Sequence, residues 1–273
     1  MEQGPIGVFD SGYGGLTVLK EIVKTLPKYD YVYLGDNARN PYGTRSFEVV
    51  YQFTLESVKK LFSMGCHLVI IACNTASAKA LRSIQQRDLP LIDPSRRVLG
   101  VIRPSAEVIG NYTKTNKIGI LGTPGTINSN SYPLEIGKFF PSVNIYQQAC
   151  PMWVPLIENN EHLTDGADFF VEKYVNQLLS QDTTIDTIVL GCTHYPLLLS
   201  KIRKFVPDSV TLLSQGTIVA DSLKDYLQRH PEMDEKCSKQ HSLRFFTTET
   251  AEIFDRQAAI FYGEEAKSEH IEV

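Results

Sequence analysis

Two cysteines of this chain stand in matching local settings. Leu68-Val69-Ile70-Ile71 runs into Ala72-Cys73-Asn74-Thr75-Ala76, and Thr187-Ile188-Val189-Leu190 runs into Gly191-Cys192-Thr193-His194-Tyr195-Pro196. In each, an apolar run delivers a sulfur, small polar residues follow, and a helix-like stretch comes next. A buried strand turning into a helix fits both. That puts each thiol at the carboxyl end of a strand, where open α/β sheets bind ligands. A helix N-terminus there is expected to lower the thiol pKa and enrich the reactive thiolate. Two thiols facing each other across one small molecule could work as a proton pair. One thiolate takes a proton from carbon while the other thiol returns one on the opposite face, which inverts a stereocentre. The side-chain inventory requires no cofactor for this, since no lysine sits at a strand-end turn as a pyridoxal candidate.

A single cysteine ending a buried strand is commonly a small packed hydrophobe. The duplication, with polar residues after each sulfur, argues for chemistry instead. Asp10 and His194 also stand at strand ends, so each could assist a thiol by accepting or returning a proton. Cys66, Cys150 and Cys237 lack such a setting and read as structural. Five cysteines at irregular spacing do not suggest a disulfide framework. A zinc site from Cys66, His67, Cys192 and His194 is disfavoured, because adjacent Cys-His pairs are not a usual ligand spacing.

The elements that must position these residues read as alternating strands and helices. Strand Ile6–Phe9 leads into Asp10-Ser11-Gly12-Tyr13-Gly14-Gly15 and a helix over 16–26. The glycine-rich turn suits an anion, or else only makes a tight bend. It is neither a dinucleotide fingerprint nor a P-loop. Strand Tyr31–Leu34 opens a long polar loop holding Asp36, Asn37, Tyr42 and Gly43. A helix over 46–64 stops at Gly65. The strand before Cys73, a helix over 77–86 and a strand over 98–102 follow. Ile118-Gly119-Ile120-Leu121-Gly122-Thr123 then echoes Ile6-Gly7-Val8-Phe9-Asp10-Ser11, at nearly the offset that separates the two cysteine turns. Two related lobes follow from that. The stretch from Ala149 to Glu158, with two prolines and the only tryptophan, reads as a loop packed on a cleft, and Glu158 could point into a site. The last part of the chain returns to complete the first lobe.

The expected fold is therefore α/β: two similar three-layer lobes with mostly parallel sheets, related by a pseudo-twofold axis, with the site in the cleft between them. The lobes are 1–103 with 214–263, and 104–213; an acidic flexible tail spans 264–273. The chain has 273 residues, 42% of them hydrophobic, enough for each lobe to have its own core. Its net charge is -4, and no basic run suggests nucleic acid or a membrane surface. No apolar run is long enough to span a bilayer. The N-terminus does not read as a signal peptide, so a cytoplasmic location is expected.

Taken jointly, four motifs closely resemble those of the bacterial glutamate racemase family: Val8-Phe9-Asp10-Ser11-Gly12-Tyr13-Gly14-Gly15-Leu16; Gly35-Asp36 with Pro41-Tyr42-Gly43; Ala72-Cys73-Asn74-Thr75-Ala76; and Leu190-Gly191-Cys192-Thr193-His194-Tyr195-Pro196-Leu197. They stand in family order and spacing along essentially the whole chain. The resemblance implies cofactor-independent interconversion of L- and D-glutamate, supplying D-glutamate for peptidoglycan. It implies Cys73 and Cys192 as the acid/base pair, the first acting on the D- and the second on the L-enantiomer, with Asp10 and His194 assisting. It also implies that Asp10, Ser11, Tyr42, Gly43, Asn74, Thr75, Thr193 and His194 bind substrate, and that Asp36 and Glu158 matter near the site. A homodimer, with glutamate as the small-molecule partner and no metal, is expected.

One stretch departs from the pattern. In Val101-Ile102-Arg103-Pro104-Ser105-Ala106, Ser105 stands where relatives usually carry glycine or alanine. It lies between the lobes and bears on their geometry and on dimer contacts, not on the chemistry. The N-terminus also lacks the long extension of members regulated by a peptidoglycan precursor, so that control is not expected. Aspartate racemases of the same two-cysteine superfamily differ by one methylene of substrate and are the nearest alternative. A non-catalytic amino-acid-binding protein with this fold is the other, though it would be expected to lose one cysteine. A nucleotide site at Gly12–Gly15 is weakened by the missing lysine.

Overall fold

The computed structural model describes residues 2–273. In chain order the first elements are β1 (Ile6–Asp10), α1 (Leu16–Thr25), β2 (Tyr31–Gly35), α2 (Phe47–Ser63), β3 (Leu68–Ile71), α3 (Asn74–Lys79) and β4 (Arg97–Gly100). The chain then crosses over through α4 (Ile102–Val108) to β5 (Lys117–Gly122), α5 (Ser131–Phe139), β6 (Asn144–Ala149), α6 (Trp153–Glu158), α7 (Asp165–Leu179), β7 (Thr187–Gly191), α8 (Leu199–Phe205) and β8 (Thr211–Leu213). It returns through α9 (Gln215–Arg229) to β9 (Leu243–Thr247), α10 (Ala251–Tyr262) and β10 (Ser268–His270).

Two sheets result, ordered β10-β9-β2-β1-β3-β4 and β6-β5-β7-β8, and their strand pairings are all parallel. The order 2-1-3-4 recurs as 6-5-7-8, so the two-lobe expectation holds at the level of topology. β1, β2, β3 and β7 are buried along their whole length, as strands covered by helices on both faces must be. Alternation along each strand sorts side chains into layers. Phe9, Val69 and Ile71 face the outer layer of the first sheet, while Ile118, Ile120 and Val189 face that of the second. Ile6, Val8, Leu68 and Ile70 turn inward and share one cluster with Leu121, Ile188 and Leu190. The lobes thus share a continuous inner core instead of owning separate ones. α9 explains this: it packs along α1 and joins the inner faces through Val219, Ala220 and Leu223.

Three local expectations are corrected. The helix after Cys73 begins at Asn74, not Ser77, and continues irregularly as turns of α- and π-type through Ile92, with Pro90 tolerated in the first turn of the last piece. The stretch from Trp153 to Glu158 is helical, since Pro155 falls in a first turn where its missing N–H costs nothing. The residues expected as a flexible tail include an edge strand. Ser268–His270 pairs with Phe245–Thr247, and the Ser268 N–H donates to Asp255 at 2.9 Å. Backbone pairing at an open sheet edge outweighs the acidic composition there. Among the described residues, no helix is long and apolar enough to cross a membrane.

Candidate active site

In an open sheet ordered 2-1-3-4, successive connections leave β1 in opposite directions, and the gap between the ends of β1 and β3 receives the ligand. This chain has two such gaps. Ser11 and Cys73-Asn74-Thr75 follow β1 and β3; Thr123 and Cys192-Thr193-His194 follow β5 and β7. All of them line one cavity of about 70 Å3, which is closed on its flanks by the 40–44 and 150–155 segments. That size admits only a small molecule. The lining contains no lysine or arginine. An anion there must be met by hydroxyls, amides, backbone N–H groups and His194.

At the first gap, Cys73 is the N-cap of α3. Its Sγ accepts from the Ala76 N–H at 3.4 Å, and the Ser11 hydroxyl lies 3.4 Å away. Burial pushes the Cys73 thiol up to about 12, and the neighbouring Asp10 carboxylate adds to this; Ser11 and the Ala76 N–H act in the opposite sense without prevailing. The expected thiolate enrichment at this helix terminus is therefore overturned: desolvation outweighs the helix end. Asp10 sits behind the lining, with Oδ2 accepting from the Gly12 N–H at 3.0 Å and Oδ1 unpartnered among the described residues. Burial raises its carboxyl pKa against the opposing pull of His194 and of the Gly15 and Gly12 N–H groups.

At the second gap, Cys192 Sγ lies 3.9 Å from His194 Nδ1, and His194 Nε2 donates to Glu158 Oε1 at 2.9 Å. Asn40 Nδ2 contacts both Glu158 oxygens at 2.9 and 3.0 Å, and Phe261 meets the imidazole edge-on. Burial opposes charge on His194, but Cys192 and Glu158 outweigh it and hold the imidazole pKa up at about 10. Burial likewise opposes charge on Glu158, and His194 and Asn40 bring its carboxyl below the usual value. The second thiol thus has an imidazolium–carboxylate pair at its back.

Of the sequence-predicted residues, Cys73, Cys192, Ser11, Tyr42, Gly43, Asn74, Thr75, Thr193 and His194 line the cavity, whereas Asp10, Asp36 and Glu158 stand behind it. Asp36 is fully buried and accepts from Tyr42, from Arg39 at 2.7 Å and from Thr248 at 2.9 Å. It holds the Tyr42 loop in place. The glycine turn is no anion cradle. A Cβ on Gly14 would lie 2.3 Å from Thr193 Oγ1 and 2.4 Å from His194 Nδ1, and one on Gly15 would lie 2.5 Å from the Asp10 Cβ. Gly14 lets the two strand-end turns touch, and Gly15 makes room for Asp10 of its own turn. Sequence reasoning missed Asn40 and Thr123, the latter 2.9 Å from the Thr75 hydroxyl. The echo of the first strand was the only signal for Thr123. It also set Cys150 aside, which lines the cavity. Tyr132 and Gln215, both bonded to Asn74, carried no signal. No group of three or more His, Cys, Asp or Glu among the described residues could hold a metal ion.

The model of the Asp/Glu/Hydantoin racemase family matches residues 6–223. A glutamate racemase of Listeria innocua is 41% identical over 250 residues, covering 91% of this chain and 90% of its own. The crystal structure of a glutamate racemase isoform from Bacillus anthracis superposes with a TM-score of 0.90 at 36% identity, over 100% of this chain and 99% of that one. The glutamate racemase of Francisella tularensis, solved in complex with D-glutamate, superposes with a TM-score of 0.86 at 32% identity, over 100% and 98%.

Proposed function

The chain belongs to the Asp/Glu/hydantoin racemase family, and from that premise we propose that it interconverts L- and D-glutamate by proton transfer at Cα between Cys73 and Cys192. One observation carries the reading: two thiols from topologically equivalent strand ends line the same small cavity. From L-glutamate, the Cys192 thiolate takes the α-proton, so the C–H bond breaks and an S–H bond forms. The electron pair left on carbon delocalises into the adjacent carboxylate. The Cys73 thiol then gives its proton to the opposite face. D-Glutamate runs the same steps in reverse, starting from Cys73. To restore the starting state, the His194 imidazolium first releases a proton to solvent and then takes the one on the Cys192 thiol, while Asp10 passes a proton drawn from solvent to the Cys73 thiolate.

The substrate carboxylates take hydrogen bonds from Ser11, Asn74, Thr75 and Thr193 and from N–H groups at the start of α3. Tyr42 and Gly43 close one side of the site. Two lobes, 1–103 with 214–263 and 104–213, close on the substrate and exclude water, which favours ionising so weak a carbon acid. On this reading the enzyme works as a cytoplasmic homodimer and supplies D-glutamate for peptidoglycan.

Polarimetry on enantiopure substrates tests the reading. Both L- and D-glutamate decay to the racemate, and aspartate turns over far more slowly. Inversion of aspartate but not glutamate points to the sister activity. Binding of glutamate with no inversion leaves an amino-acid-binding protein.

A further inference from the structure

The chain crosses between the sheets twice, through Val101–Ser105 and at Gln215. Gln215, the first residue of α9, is buried, as are Asn74 after β3 and Tyr132 in α5. Their three side chains form a closed ring. Asn74 Nδ2 donates to Gln215 Oε1 at 2.7 Å, Gln215 Nε2 donates to Tyr132 Oη at 2.8 Å, and the Tyr132 hydroxyl donates to Asn74 Oδ1 at 2.8 Å. Gln215 Nε2 also lies 3.0 Å from the Val101 carbonyl and 2.9 Å from Ser105 Oγ.

The Val101 carbonyl fixes the polarity of this ring. It can only accept, so the nitrogen of Gln215 must face it and the oxygen must face Asn74. Asn74 must then present Nδ2 to Gln215 and Oδ1 to Tyr132. Its second N–H has no partner among the described residues, and Asn74 lines the cavity. A donor so placed suits a carboxylate. With the carboxamide turned over, a carbonyl oxygen would meet the same anion and repel it.

We propose that Gln215 is a positioning residue for the reaction: held by the Val101 carbonyl, it orients Asn74 through the Asn74–Gln215–Tyr132 ring so that an N–H faces a substrate carboxylate, and it ties that orientation to both crossings between the lobes. This rests on the glutamate reading above. Ser105, the residue that departs from the family pattern, lies against the ring with its Oγ 2.9 Å from Gln215 Nε2.

The test is steady-state kinetics in both directions on Gln215→Leu, Tyr132→Phe and the double variant, with melting temperatures. Loss of an oriented donor to a charged group raises KM about tenfold for both enantiomers in each single variant, with kcat changed less than about threefold. The double variant costs no more than the worse single one, since the ring acts as a unit. A packing role alone would lower the melting temperature, leave KM unchanged and make the two effects additive; that result overturns the proposal. Tyr132→Phe keeps the ring volume, so it decides the matter if Gln215→Leu does not fold. Wild-type activity with unchanged variant KM overturns this inference alone. A wild type inactive on glutamate overturns the parent reading and this inference with it.

Discussion

Cys73 and Cys192 occupy the same place in two copies of one topology, yet a buried carboxyl stands behind the first and an imidazolium–carboxylate pair behind the second. Cys73 caps a regular helix, with a buried carboxyl behind it, and burial pushes its thiol up to about 12. Cys192 is followed by the Thr193-His194 turn and a short 3-10 turn, Tyr195–Leu198, before its helix begins. An imidazole held charged by this sulfur and by Glu158 stands beside it. Strand order puts the two sulfurs on one cavity. The residues just after each strand decide which charge backs each sulfur. A duplicated fold can thus supply two mirrored positions and still leave one thiol hard to ionise and the other beside an imidazolium.

The sharpest way to break the comparison is to remove either sulfur. Cys73→Ser and Cys192→Ser should each cut racemisation by about a thousandfold or more while thermal melting is nearly preserved. Wild-type rates in either variant would end the two-base scheme.

The flanking groups come next. His194→Asn and Asp10→Asn should each lower kcat/KM by about a hundredfold. The enantiomers are mirror images of equal energy, so kcat/KM must fall equally in both directions. A difference between the two ends can show only in kcat and KM separately and in α-deuterium isotope effects. The two variants should shift those quantities in opposite directions; matching shifts would mean that the ends are equivalent.

His194 is charged below a pKa of about 10, so wild-type activity should fall as pH rises through about 10. The contacts of Cys192 and Glu158 with the charged imidazole stabilise the fold in full below the ordinary histidine value near 6.5, and that contribution is lost as pH rises through about 10. Glu158→Gln removes a neighbouring anion, so it should move the alkaline limb of the pH–rate profile to lower pH, with a loss of about tenfold at neutral pH. A limb that stays in place would detach Glu158 from His194. The smallest effect belongs to Asp36→Asn, which loosens the Tyr42 loop without touching the cavity. A KM increase of about threefold with unchanged kcat is expected from steady-state rates.

The strands and both cysteine turns were legible because buried parallel strands are apolar runs and their ends are marked by small polar residues. The helix at Trp153–Glu158 was not, because Pro155 made the stretch read as a loop although it sits in a first turn, where proline is tolerated. The glycines of Gly12–Gly15 looked like a ligand feature, but at Gly14 a partner turn from the other lobe leaves no room for a Cβ, and no local pattern announces it. Gln215 was invisible for a related reason. Its meaning depends on Asn74 and Tyr132, 141 and 83 residues away. Burial of Cys73 reversed the pKa expected from its helix terminus, since local sequence shows the helix but not the depth.

The most direct test of two opposed thiols is racemisation of protiated L- and D-glutamate in D2O, with α-proton content followed by NMR in each enantiomer from the first turnovers. The account predicts deuterium in the product enantiomer from the start, while unreacted substrate keeps its proton. Substrate that exchanges as fast as it inverts, or product that retains the original proton, would mean that one base serves both faces and would contradict the account.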